Sequence, residues 1–103
     1  MSVYAVQYTY ADNAEGLDAH RASHRDFLRG LGREGVVLLS GPMAAGVGQP
    51  DAALLLVQAD GPDEILRRLA DDPFQEEGLV ENVEIRGWNP VLGAWFDGLA
   101  DRL

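Results

Sequence analysis

The stretch VVLLSGPMAAGVGQPDAALLLV, residues 36–57, decides the fold. Two short apolar runs, Val36 to Ser40 and Ala52 to Val57, flank a connection rich in Gly and Pro. Runs this short and this rich in Val and Leu suit buried strands, and the connection reads as the long loop of a hairpin. A hairpin at the centre of the chain makes the flanking segments the remaining question.

Upstream, Val3 to Tyr10 is β-branched and aromatic, with Tyr4, Val6, Tyr8 and Tyr10 on one face and Val3, Ala5, Gln7 and Thr9 on the other. That alternation predicts a strand. Asp12 and Glu15 then have capping-box spacing, and Leu17, His20, His24, Phe27, Leu28 and Leu31 recur at steps of three or four, as on one face of a helix. The helix should end near Gly32 to Gly35, where glycine can take the left-handed conformation. Downstream, Pro62 followed by Asp63 and Glu64 opens a second helix with the stripe Ile65, Leu66 and Leu69, which Asp72-Pro73-Phe74 breaks. Val80 to Trp88 reads as a fourth strand with one wet face, and Leu92, Trp95, Phe96, Leu99 and Leu103 form the stripe of a helix over about residues 91–103. The order β-α-β-β-α-β plus a terminal helix is that of a ferredoxin-like α+β fold, an antiparallel sheet covered on one face by two helices. The other face, expected to bear Leu, Val and Tyr, would be a large apolar patch in a monomer, so a homodimer with facing sheets is expected.

Composition narrows the function. The 103 residues hold 8 Lys+Arg against 17 Asp+Glu, a net charge of -9, and no cysteine. One domain spanning 1–103 is expected. Acidic charge with no basic run disfavours nucleic acid and membrane surfaces, and no apolar run approaches the ~20 residues of a membrane span. The start MSVYAVQYTYADN lacks the basic and apolar segments of a signal peptide. Absent cysteine excludes disulfides, thiolate metal sites and a cysteine nucleophile, and fits a cytoplasmic address.

His24 is the most informative residue. It shares a stripe with Phe27, Leu28 and Leu31, so its imidazole points towards the sheet, where burial favours the neutral form a general base needs. The same placement serves a structural histidine bonded to a carbonyl, and periodicity leaves both readings open. His20 precedes it by one turn, but no Glu follows as in a metalloprotease helix and every other carboxylate is distant, so no metal is expected. Asp71-Asp72-Pro73 sets two carboxylates at a helix C-terminus, which the helix dipole disfavours. Asp before Pro initiates turns; an Asp that accepts from an imidazole would instead fix its tautomer and form a dyad. Gly46-x-Gly48 is no phosphate loop, since neither Lys nor Ser/Thr completes it, and Ser40 has no base beside it in sequence to make it a nucleophile.

Taken in order, Arg21-x-x-His24, Leu28, Leu31, Gly35, Gly41-Pro42, Asp72-Pro73-Phe74 and Gly78 form a set more specific than any member. On these residues the chain resembles the YCII-related (YciI-like) family over about nine tenths of its length. The helix after Asn89-Pro90 departs from the family core. The resemblance implies a dimeric α+β barrel, akin in fold to muconolactone isomerases and small cofactor-free monooxygenases, with a His and an Asp in its active site. These fall on His24 and Asp72 as catalytic residues, while Arg21 and Ser40 match positions lining the same cavity as substrate-binding residues. A dehydrochlorinase of a chlorinated hydroxyquinol is the family's clearest precedent. The expected activity is cofactor-free general acid/base chemistry, isomerisation or elimination, on a small aromatic or enolisable molecule. A non-catalytic ligand-binding or accessory module, or a buried polar pair supporting the dimer, would use the same residues.

Overall fold

A computed structural model describes residues 1–96. Its elements are β1 (Ser2–Tyr10), α1 (Ala14–Arg33), β2 (Val37–Met43), β3 (Ala52–Ala59), α2 (Pro62–Leu69), α3 (Pro73–Glu76) and β4 (Val80–Gly87). The strands form one antiparallel sheet in the order β2-β3-β1-β4. This is the ferredoxin-like α+β arrangement: the first strand lies inside the sheet, between the third and the fourth, and each helix returns the chain across the same face.

Alternation along the strands sets the core. Val6 and Tyr8 of β1, Leu55 and Val57 of β3, Leu28 and Leu31 of α1, and Ile65 and Leu69 of α2 meet in one buried cluster. Burying side chains of this size contributes about 1.5–3 kcal/mol each, so the sheet-helix layer holds most of the stability. A smaller cluster of Leu17, Phe74 and Leu79 seats α3 against the first half of α1. Gly78, at φ +69, closes α3 in a left-handed turn through which Leu79 N–H reaches the Phe74 carbonyl at 2.9 Å. Gly35, at φ +78, does the same for α1.

Several boundaries differ from the sequence reading for physical reasons. The cap of α1 is Asn13, whose side chain accepts from Gly16 N–H, one residue after the expected Asp12. Asn13 serves because its carboxamide oxygen faces that orphan donor. β2 runs on through Gly41-Pro42 to Met43, since Pro is tolerated on an edge strand. Leu66 of the predicted stripe faces outward and is half exposed, leaving Ile65 and Leu69 to anchor α2. The break at Asp72-Pro73-Phe74 is itself one turn of helix, with Asp72 as its cap.

The tyrosines all take the helix side of β1, with Tyr4 and Tyr10 packed against the core that contains Tyr8. Across the outer face the register pairs Ala5 with Leu56, Gln7 with Leu54, and Leu39 with Leu56. Leu39 and Leu54 are exposed there, so the outer apolar patch is aliphatic rather than aromatic. Of the predicted terminal helix, residues 91–96 are described, and they begin as bends and a turn with Val91, Leu92 and Trp95 exposed. The rest of that segment lies outside the described residues. Among the described residues, no helix is long and apolar enough to cross a membrane.

Candidate functional site

Three elements distant in sequence meet under the middle of α1. His24 is the eleventh residue of α1 and points at the sheet from the buried stripe. Asp72 sits in the link between α2 and α3, fully buried, with an extended backbone. Its two oxygens each lie 2.9 Å from Nδ1 of His24. Oδ1 also accepts from the Phe74 backbone N–H at 3.0 Å, and Oδ2 accepts from the Tyr8 hydroxyl at 3.0 Å. Gln75 Nε2 donates to that hydroxyl oxygen at 3.3 Å, which turns the phenolic proton towards Asp72.

The sharing of roles follows from this arrangement. A carboxylate can only accept, so Nδ1 carries a proton, and in the neutral imidazole the lone pair is on Nε2. No residue among those described bonds Nε2, and no buried side-chain nitrogen or oxygen among them lacks a partner, so Nε2 reaches the surface of the adjoining cleft. Phe74 stacks on the ring at 3.9 Å with planes 8° apart, and Tyr10 meets Phe74 edge-on at 5.4 Å. The imidazole is thus fixed in rotation by a ring and in tautomer by a carboxylate.

Burial shapes the two tyrosines next to it. The Tyr8 hydroxyl is held far above its ordinary range by desolvation and by the Asp72 charge, so it remains a proton donor. Tyr10 is pushed up to about 12, first by burial and then by Asp72, with the Arg21 and Arg25 guanidiniums pulling the other way.

The cleft holds about 680 Å³ between α1 and β2. His24, Arg21 and Ser40 all line it, while Asp72 stands behind His24, out of its reach. The two residues matched by resemblance as cavity-lining therefore share one wall-to-wall space with the histidine. Arg21 is also paired with Asp18 on its own helix. His20 turns to the helix edge, 4.0 Å from Glu77. Among the described residues no three His, Cys, Asp or Glu side chains group as metal ligands.

Sequence reading alone missed Tyr8, Phe74 and Gln75 as partners of the pair. Tyr8 and Phe74 look like ordinary core residues in the sequence, and only the sheet register and the one-turn helix bring their polar and planar edges to His24 and Asp72.

Solved structures share this fold. The 5-chloro-2-hydroxyhydroquinone dehydrochlorinase from Burkholderia phenoliruptrix AC1100, solved with 2,5-dihydroxybenzoquinone, is similar with a TM-score of 0.70 at 17% identity over 86% of this chain and 95% of that chain. An uncharacterized NIPSNAP domain protein from Burkholderia xenovorans aligns with a TM-score of 0.54 at 15% identity, covering 88% of this chain and 95% of the other. An antibiotic biosynthesis monooxygenase gives 0.54 at 11%, covering 89% and 100%. At these identities the likeness concerns the fold. No curated protein matches the sequence. The YCII-related domain profile matches residues 1–89, which takes in all four strands, His24 and Asp72, and with that match the chain belongs to the YCII-related domain family.

Proposed function

We propose that the protein is a cofactor-free enzyme that moves a proton on a small aromatic or enolisable molecule bound in the cleft between α1 and β2. The observation that carries this reading is the buried His24–Asp72 pair with Nε2 of His24 open to that cleft. In it, Nε2 takes a proton from an acidic C–H or O–H of the ligand, and Asp72 stabilises the imidazolium that forms. Arg21 stabilises the developing oxyanion and Ser40 hydrogen-bonds the ligand from the opposite wall. Isomerisation or elimination follows from the resulting carbanion or enolate. The similar fold of a dehydrochlorinase solved with a dihydroxybenzoquinone supports a quinol-like ring as the molecule to try first.

A second copy of the chain completes the assembly in this reading, laid against the outer sheet face where Leu39 and Leu54 are exposed. A cytoplasmic address accords with the cysteine-free composition.

The test is turnover of substituted hydroquinones and enolisable lactones by the intact protein and by His24→Ala, with circular dichroism on both. We expect a loss of about 10²- to 10⁴-fold in the variant with its fold retained. Equal turnover by the two proteins, or ligand binding with no turnover across the panel, would reject the catalytic role and leave a binding module.

A further inference from the structure

α1 carries a pattern that the His24–Asp72 pair does not use. Arg21, Arg25 and Arg29 recur every fourth residue, and all three line the cleft beside His24. The chain has a net charge of -9, and its 8 basic residues are all arginine. Three of them converge on one concavity, where Asp51 is the only carboxylate among the described lining residues. That concentration of positive charge, in a protein otherwise acidic, makes the cleft a local attractor for anions.

The three differ in what occupies them. Asp18 pairs with Arg21, and Asp26 pairs with Arg29 at 2.9 Å, each from the preceding turn of the helix. Arg25, between them, forms no ion pair among the described residues. Its charge nonetheless reaches into the cleft, since with Arg21 it acts on the Tyr10 hydroxyl. Asp51 also faces the cleft and acts on Tyr10 in the opposite sense, while its Oδ1 accepts from Ala45 N–H at 3.1 Å, so one carboxylate stands against three guanidiniums in the lining. The facing wall is apolar, built by Leu38, Pro42 and Met43 of β2, and suits a flat hydrocarbon ring.

We propose that the cleft takes an aromatic carboxylate, its carboxylate paired with Arg25 and its ring against β2. The planar fork of a guanidinium matches a carboxylate in two parallel hydrogen bonds, which a neutral ligand cannot reproduce. This rests on reading the cleft as the ligand site of His24 and names the substrate class for it.

The test is calorimetric titration of the full chain with 2,5-dihydroxybenzoate, the neutral 2,5-dihydroxybenzamide, and acetate. The aromatic acid should bind about tenfold or more tighter than its amide, and acetate far more weakly than the aromatic acid. In Arg25→Gln the preference for the acid over the amide should vanish while the amide binds as before. Equal binding of acid and amide, a preference that survives Arg25→Gln, acetate binding as tightly as the aromatic acid, or no binding of any probe overturns the proposal. The catalytic reading fails separately. An acid preference with no turnover of any acid leaves the carboxylate site standing, and equal binding of acid and amide beside turnover that is lost in His24→Ala overturns only the carboxylate site.

Discussion

Nδ1 of His24 lies 2.9 Å from both carboxylate oxygens of Asp72, a residue 48 positions away in the chain. Neither oxygen is left to this contact alone, for the Phe74 N–H and the Tyr8 hydroxyl take up one each. The carboxylate is therefore held from three sides, and the imidazole is oriented by a group that cannot itself rotate. In the proposed reaction a base held this way needs no reorganisation when a proton arrives.

Replacing Asp72 by Asn puts an amide donor beside Nδ1 and removes the reason for the proton to reside there. Long-range proton–nitrogen NMR should show Nδ1–H in the parent protein and a shift towards Nε2–H in Asp72→Asn. A tautomer ratio unmoved by the substitution would show that Asp72 does not set it.

Tyr8→Phe removes a hydroxyl that donates to Asp72 and accepts from Gln75 within a fully buried site. A hydrogen bond to a charged partner contributes about 1.5–3 kcal/mol, and that loss should appear as a lower urea midpoint with an unchanged slope. A midpoint equal to that of the parent would mean the bond contributes nothing net.

Stability should decline in alkali. Tyr8 and Tyr10 are raised in the folded state, so their protonated forms are favoured by folding: the full contribution is present below pH 10 and is lost as pH rises towards the folded values. For Tyr10 the window is about pH 10 to 12. Above pH 10 the unfolded chain gives up these protons first, and stability should fall by roughly 1 kcal/mol per pH unit for the buried Tyr8 and by less for Tyr10, whose partial exposure screens it. Urea unfolding at a series of pH values checks this, and Tyr8→Phe should show the shallower decline; parallel curves would contradict it.

The cap of α1 separates two neighbouring residues. Asn13→Ala should cost about 1 kcal/mol, because Gly16 N–H loses its acceptor, whereas Asp12→Ala should be nearly silent. The reverse ranking in thermal melts would return the cap to Asp12.

Assembly is readable in solution. Light scattering should give twice the chain mass for the parent, and Leu54→Arg, on the exposed outer sheet face, should give a monomer with its circular dichroism intact. A parent that runs as a monomer would dispose of the paired sheets.

Much of the fold was legible because alternation in Val3 to Tyr10 and the stripe from Leu17 to Leu31 are local consequences of burial. His24 was legible as an inward polar residue for the same reason, but nothing local says what it touches. Asp72 next to Pro73 reads equally as a turn, and the resemblance to a family, not the spacing, singled it out. Tyr8 stayed invisible as a partner because its role depends on the register of β1 against its neighbours, a property of the whole sheet. The cap at Asn13 rather than Asp12 turned on which side chain faced one amide, a matter of a single dihedral.

The bonds that tie Asp72 to His24 and to Tyr8 span 48 and 64 residues, joining a helix, an internal strand and the link between α2 and α3. Any stretch of chain that holds all three reaches at least from Tyr8 to Asp72. The site therefore depends on long-range contacts, and a form in which β1, α1 and the α2–α3 link are not docked lacks it. The Phe74 amide, bonded to Asp72, becomes a built-in gauge: its hydrogen exchange rate reports opening of the structure that holds the pair together.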